Sequence, residues 1–403
     1  MHTSDIYHTQ GIRGFQVVNT NYGAGGVTVK IAPSEEAAPC CPTCHQWEVT
    51  RSEEGSRSIT GLPCGGKKVE LIVPVFRLHC PHCDRHQREP LPFVVKWSRH
   101  TKAVERSVVA MRREMSMKAT ADFFGLDWRT VKDIEKRHLQ TKFRVIRLKE
   151  VRVIGIDEIH GGKPGYKTIV RDLKSGAVLF VGRGKGGAAL AGFERRLRSA
   201  QCQIKVVAMD MSSGYSAWVK RVLPKVAVVF DHFHVIQLMN KKLNELRRTT
   251  MKNLDEETRQ ELKGKRFLLL RNQEALKTDE QAELERLKAT FSDLSTGHAM
   301  KEKLRAIYRT AKSVAEARVL LFAWILAAEV SGIGMLKTMA HTIRSHLDGI
   351  LAYWKFNELT SAGMEGFNNK IRWLIRQAYG FQDQEYFELK IYDLPTCTTV
   401  KAI

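Results

Sequence analysis

Val151-Arg152-Val153-Ile154-Gly155-Ile156-Asp157-Glu158 is the stretch on which the fold turns. It is short, rich in β-branched residues and closed by acids, which reads as a strand ending in carboxylates. The pattern recurs in Ile204-Lys205-Val206-Val207-Ala208-Met209-Asp210 and in Val226-Ala227-Val228-Val229-Phe230-Asp231, each an apolar run stopped by Asp. Between the first two runs, residues 166–171 and 177–182 read as strands flanking the Lys174-Ser175-Gly176 turn, and residues 188–199 read as a helix. The order is therefore β-β-β-α-β-α-β, an antiparallel meander followed by helical crossovers. Such a sheet is mixed, and carboxylates at strand ends stand where α/β sheets place their sites.

This order is the skeleton of a ribonuclease-H-like domain, in which Asp157 and Asp210 sit on neighbouring strands and can share a metal. A third acid then has to come from a later helix. In Met364-Glu365-Gly366-Phe367-Asn368-Asn369-Lys370-Ile371-Arg372-Trp373-Leu374-Ile375-Arg376, the helical period puts Phe367, Ile371, Leu374, Ile375 and Ala378 on a buried stripe. Glu365, Asn368, Asn369, Arg372 and Arg376 fall on the opposite, polar stripe, which suits a metal held beside a phosphodiester. The competing reading is a surface helix whose Glu365 favours the dipole of the first turn. Residues 241–355, between the second Asp and this helix, carry apolar residues at helical spacing and predict an all-helical insertion. Within it, residues 320–326 are apolar nearly all round and predict a buried helix.

Upstream, residues 91–150 hold a net charge of +8. Here Met117-Lys118-Ala119-Thr120-Ala121-Asp122-Phe123-Phe124-Gly125-Leu126-Asp127-Trp128-Arg129-Thr130-Val131 reads as helix, turn and helix. Gly125 permits a left-handed turn and Asp127 can cap the second helix. Trp128, Val131, Ile134, His138 and Leu139 share one arc of that helix, while Arg129, Thr130, Lys132, Asp133, Lys136 and Arg137 share the other. The second arc can enter a major groove, so Arg129, Thr130, Lys132, Lys136 and Arg137 are the expected DNA contacts. An ordinary helical hairpin with a solvated basic face is the plainer alternative.

Six of the eight cysteines fall between Cys40 and Cys83. The knuckles Cys41-Pro42-Thr43-Cys44 and Cys80-Pro81-His82-Cys83 each place two thiolates at the spacing of one tight turn, and two such turns close a tetrahedron around structural Zn²⁺. Cys40, Cys64, His45 and His79 compete as ligands, and a register slip would exchange Cys40 for Cys41. Residues 68–73 and 75–79 alternate as strands between the knuckles, which is the plan of a zinc ribbon.

The chain has 403 residues, 65 Lys plus Arg against 43 Asp plus Glu, and a net charge of +22. That length predicts several domains, and a hydrophobic fraction of 43% excludes global disorder. Without a long uncharged apolar run or a signal-peptide core, the expectation is a soluble cytoplasmic protein with no membrane partner. The positive excess points to a polyanion, with nucleic acid first.

Gly155-Ile156-Asp157-Glu158, Met209-Asp210-Met211-Ser212-Ser213-Gly214-Tyr215, Phe230-Asp231-His232-Phe233-His234-Val235, Glu365-Gly366-Phe367-Asn368-Asn369-Lys370-Ile371 and Ala378-Tyr379-Gly380-Phe381 together resemble the DDE transposases of bacterial insertion sequences, more narrowly the ISL-three family. The resemblance runs from about Gly11 to Lys390. It implies Asp157, Asp210 and Glu365 as a catalytic triad binding Mg²⁺ or Mn²⁺, with Asp231 and His234 in a supporting motif. Asn368, Asn369, Arg372 and Arg376 would then face DNA. The expected class is multidomain α+β and α/β: zinc ribbon with N-terminal strands (1–90), helix-turn-helix (91–150), first part of a ribonuclease-H-like core (151–240), helical insertion (241–355) and C-terminal core helices (356–403). The implied function is metal-dependent cleavage and strand transfer at an element's terminal inverted repeats, by a homo-oligomer on paired ends, nucleoid-associated when bound to DNA. The alternatives are a catalytically inactive, transposase-derived DNA-binding regulator, and a nuclease that never joins strands.

Overall fold

The structure, a computed structural model, describes residues 3–162, 165–357, 359 and 362–395, in two units, Met1–Lys142 and Phe143–Ile403. The first unit begins with helix α1 (Thr3–Gln10) and strands β1 (Phe15–Gly23), β2 (Gly26–Pro33), β3 (Thr50–Cys64), β4 (Lys67–Cys80) and β5 (Arg85–Arg88). The sheet runs β1-β2-β4-β3, with β5 also on β4. Val69, Leu71 and Val73 of β4 alternate into a core with Val29, Ile31 and Ile59, as a half-buried strand requires. The two strands expected at 68–73 and 75–79 are one continuous β4 through Pro74. This proline is tolerated because β2 pairs with β4 only as far as Ile72, which leaves an open edge where Pro74 lacks its N–H.

Three helices follow, α2 (Lys102–Met111), α3 (Met117–Phe124) and α4 (Trp128–Lys142). Thr101 caps α2, Ser116 caps α3, and Gly125 ends α3 at φ 65° in the left-handed region. The Arg129 N–H donates to Asp127 Oδ1 at 2.8 Å, the cap expected for α4. Val104, Val108, Ala121, Phe124, Val131 and Ile134 form the core of this helical trio. Trp128 and His138, expected on the packed arc of α4, are exposed instead, and Glu135 is buried. A carboxylate can occupy that arc because Arg112 donates its Nε to Glu135 Oε2 at 2.9 Å.

The second unit starts at Phe143, earlier than the expected break after Glu150. Phe143 stacks on Tyr392 at 5.6 Å, and Leu148 and Val151 join this unit's core. Its sheet comprises β6 (Val153–His160), β7 (Tyr166–Asp172), β8 (Val178–Arg183), β9 (Val206–Met209) and β10 (Ala227–Phe230), in the order β10-β9-β6-β7-β8. Pairs β6–β7 and β7–β8 are antiparallel, while β6–β9 and β9–β10 are parallel. Helix α5 (Ala191–Ala200) precedes β9, and α6 (Ser213–Val222) joins β9 to β10. This is the ribonuclease-H-like mixed sheet.

After β10 come helices only: α7 (His232–Lys252), α8 (Glu256–Leu262), α9 (Arg266–Leu270), α10 (Thr278–Thr290), α11 (Ser292–Thr310), α12 (Val314–Val330), α13 (Gly334–Ser345) and α14 (Leu347–Lys355). Helix α12 departs from the expected burial. Ala317, Leu321, Trp324, Ile325 and Ala328 are buried, but Val319, Phe322, Leu326 and Val330 are exposed along its other side. The apolar stretch 320–326 thus packs on one face only. The chain returns to the sheet with α15 (Ala362–Gln377) and α16 (Gln384–Asp393).

Each face of the sheet is covered, which is why its strands read as continuous apolar runs. Ile154 and Ile156 of β6 join the large core shared with α5, α6 and the insertion. Ile159 of β6 and Ile169 of β7 pack with Met364, Phe367, Ile371, Phe387 and Ile391 of α15 and α16. Gly155 is needed for that second layer: a Cβ there would stand 2.8 Å from Leu173 and 3.0 Å from Met364.

Candidate active site and metal centre

The parallel register between β6 and β9 pairs Gly155 with Ala208, so the next residues on that face are Asp157 and Asp210. They are near enough for the Asp210 charge to work against ionisation of Asp157. Burial is the larger influence and raises the Asp157 pKa, while its hydrogen bonds and His234 act the other way. The Glu158 N–H donates to Asp157 Oδ1 at 2.8 Å, and Asn368 Nδ2 donates to Oδ2 at 2.7 Å. The Ser212 N–H fixes Asp210 Oδ1 at 3.0 Å, at the start of α6. Two aspartates, a histidine and an amide therefore meet at one corner of the sheet.

Asn368 was expected on the polar stripe of α15, facing DNA. It is 3% exposed instead, because Met364, Phe367, Asn368 and Ile371 form the helix's true buried stripe at i, i+3, i+4 and i+7. Leu374 and Ile375 are only half-buried and Ala378 is exposed, so the stripe is rotated towards the N-terminus of the helix from the expected one. Glu365, one turn before Asn368, is exposed in the first turn. Asp157, Asp210 and Glu365 do not form a set with all ligand atoms within 4.8 Å of one another; among the described residues only four cysteines do. Asn369 accepts from Arg372 Nη1 at 2.6 Å, and both are exposed with Arg376.

Asp231 is buried and caps α7 by accepting the Phe233 N–H at 3.0 Å. His234 lies in the first turn of that helix, with Nδ1 3.4 Å from Gln237 Oε1. Tyr215 received no role from its sequence, although it stands in the Asp210 motif. Its hydroxyl lies 2.9 Å from Thr168 Oγ1 and 3.5 Å from Glu158 Oε2, and burial pushes its pKa up to about 12. It ties α6, which follows Asp210, to the strands carrying Asp157 and Thr168.

The oxygen donors at this corner fit a hard divalent cation. Asn368 Oδ1 is buried without a hydrogen-bond partner, while each Asp157 oxygen has one donor and a further lone pair. Turning the amide over would set its oxygen against the ionised carboxylate, so the Nδ2-to-Oδ2 bond is the one that suits the charged form of Asp157.

In the first unit, Cys41, Cys44, Cys80 and Cys83 bring their Sγ atoms within 4.8 Å of one another. Cys41 lies 3.7 Å from Cys83 and Cys44 lies 3.5 Å from Cys80, against the about 3.8 Å edge of a tetrahedron with Zn–S bonds near 2.3 Å. Cys40, Cys64, His45 and His79 are outside this set. Backbone N–H groups of Cys44 and Thr43 bring the Cys41 thiol down to about 6, whereas burial pushes Cys83 up to about 12. The four thiols could bind zinc.

On α4, Arg129 is exposed with its guanidinium 5.4 Å from the Trp128 ring. Thr130, Lys132 and Lys136 are half-buried, and Arg137 pairs with Glu105 at 2.8 Å.

Residues 154–391 match a family model described as a transposase, and residues 89–139 match the helix-turn-helix domain of transposase family ISL3. The chain belongs to the ISL3 family of transposases. Among curated relatives of this ISL3 transposase, the transposase for insertion sequence element IS1001 of Bordetella parapertussis is 31% identical, over 90% of this chain and 89% of that one. The transposase for insertion sequence element IS1557 of Mycobacterium tuberculosis is 27% identical, over 82% of this chain and 80% of its own. A solved Drosophila P element transposase strand transfer complex has a TM-score of 0.40 and 12% identity, covering 74% of this chain and 92% of that one. The chain is thus a DNA transposase with a helix-turn-helix DNA-binding domain, and its family uses divalent metal. Among the described residues no helix is long and apolar enough to cross a membrane.

Proposed function

We propose that this transposase binds the terminal inverted repeats of its own insertion sequence, cuts the DNA there and joins the freed 3′ ends to target DNA. The observation that carries this reading is the placement of Asp157 on β6 and Asp210 at the end of β9, each two residues beyond the Gly155–Ala208 pair of these parallel strands, with Asn368 bracing the first. In this reading Asp157, Asp210 and Glu365 are the metal-binding catalytic residues, and Mg²⁺ or Mn²⁺ is the cation. Bound there, divalent cations supply electrostatic stabilisation of the attacking and leaving oxygens of an in-line displacement. Asp157 and Asp210 present carboxylate oxygens at the corner, and Glu365 brings its carboxylate from the exposed start of α15. Asp231 and Tyr215 hold α7 and α6 in place.

Cys41, Cys44, Cys80 and Cys83 hold a structural zinc, since four thiolates leave no open position. Arg129, Thr130, Lys132 and Lys136 read the repeat; Arg137 assists through Glu105. Asn369, Arg372 and Arg376 hold phosphates of the cleaved strand. We place the working form in the bacterial cytoplasm, on the nucleoid, as a homo-oligomer that brings two ends together. Incubation of the full chain with Mg²⁺ and DNA carrying both flanks of the reading frame tests this: nicked 3′ ends and joined products are expected. Asp157→Ala and Asp210→Ala should abolish both products while preserving end binding. Full cleavage by either variant would overturn its assignment, and cleavage without joining would favour a simple nuclease.

A further inference from the structure

Trp97 is 84% exposed and holds a backbone φ of 69°, in the left-handed region where a bulky side chain is strained. An aromatic there is strained where glycine would not be, and it gives up its apolar burial as well. Such a residue persists where its surroundings fix it, and here they do. The Ser98 N–H closes a turn on Val95 O at 2.9 Å, and Arg57 Nη2 donates to Ser98 O at 2.5 Å. The Thr60 N–H donates to Arg99 O, and the Thr101 N–H donates to Thr60 O, stitching the segment to β3. Ser98, His100 and Thr101 are buried, whereas Lys96, Trp97 and Arg99 point out.

The mount continues into the helix-turn-helix. Ser98 Oγ meets His100 Nε2 at 3.1 Å, His100 meets Glu105 at 2.9 Å, and Glu105 pairs with Arg137 of α4 at 2.8 Å. The exposed tryptophan is therefore braced, through buried polar groups, against the helix expected to read DNA. The Lys96 ammonium lies 5.5 Å from the Trp97 ring centre, and Arg99 is exposed two residues further on, so one projecting segment offers an aromatic ring and two cations.

We infer that Lys96, Trp97 and Arg99 form a second DNA-contacting element, with Trp97 against a groove and the two cations on the flanking phosphates. The partner is duplex DNA because both outward neighbours of Trp97 are cationic and residues 91–142 of the same unit carry a net +6. The inference rests on DNA binding by this unit.

The test compares wild-type full chain with Trp97→Gly, Trp97→Phe and the double variant Lys96→Ala with Arg99→Ala. Each is titrated onto duplexes of about 40 base pairs, one of mixed sequence and one from each flank of the reading frame, over a range of salt. Trp97→Gly relieves the strained φ, so its melting temperature should equal or exceed wild type while affinity for a flank duplex falls about tenfold or more. Trp97→Phe should keep most of the affinity. The double variant should flatten the logarithmic salt slope by about 2. Wild-type affinity in a well-folded Trp97→Gly variant overturns the inference and leaves the proposed function standing; a lower melting temperature with unchanged affinity also overturns it, by assigning Trp97 a structural role. A wild-type chain that binds none of the duplexes overturns both.

Discussion

Asn368 donates from Nδ2 to Asp157 Oδ2 at 2.7 Å, from an amide buried in an otherwise apolar helix face. A polar side chain is costly there unless paired, and only half of this amide is paired within the protein. The bond fixes the Asp157 carboxylate, as groups behind a metal ligand commonly do.

Asn368→Ala should weaken Mn²⁺ binding to the catalytic unit, and lower cleavage, by about 10–100-fold. Asn368→Asp should be worse near neutral pH, since it sets a third carboxylate beside Asp157 and Asp210. Calorimetric Mn²⁺ titration, run beside the cleavage assay, checks both; unchanged metal affinity in Asn368→Ala would reduce the amide to packing.

Four thiols in one set, with Cys40 and Cys64 outside it, make a sharp prediction for metal content. Purified wild-type protein should hold one zinc per chain by elemental analysis. Cys41→Ser or Cys80→Ser should lose it along with the thermal stability of the first unit, and Cys40→Ser or Cys64→Ser should keep it. A strong chelator should reproduce the loss, because a closed tetrahedral site contributes directly to folding.

The buried Arg112–Glu135 pair predicts a stability effect where a surface basic residue would give none. Arg112→Leu leaves the Glu135 charge buried and should destabilise the chain by about 3 kcal/mol in urea unfolding. Arg129→Ala, at an exposed position, should change stability by less than about 0.5 kcal/mol and act on DNA affinity instead. Equal stability of the two variants would contradict the burial of α4's inner face.

The strand positions of the candidate site were legible in the sequence, and the helix positions much less so. Asp157 and Asp210 end apolar runs with a side-chain period of 2, so one strand reading fixes their face and their neighbour. Asn368 lies near the border of two arcs on α15. An apolar Met364 one turn earlier was enough to rotate the buried stripe onto it, a difference that pattern alone does not resolve. Glu135, placed on neither arc of α4 by the sequence, is buried because Arg112, 23 residues away, pairs with it, a contact that the helical period does not encode. The exposed side of α12, from Val319 to Val330, depends on which neighbours reach it, and composition carries no record of that.

His298 supplies the pH prediction. Burial first, and then the Lys301 and Lys288 charges, bring its pKa down from 6.5 to about 4, with Glu302 and Glu285 opposing. The imidazole is 1% exposed on α11, and Nε2 has no hydrogen-bond partner. In the folded chain it is therefore neutral across a range where the unfolded chain binds a proton. Its contribution to stability is fully present above about pH 6.5, falls as pH drops towards 4, and is lost below that, by an amount of order 1–3 kcal/mol. Urea unfolding of the full chain at pH 7, 5.5 and 4.5 should show this decline. His298→Leu, which fills the site without a titrating group, should flatten it over the same window. A wild-type decline that persists undiminished in His298→Leu would assign the effect to other groups.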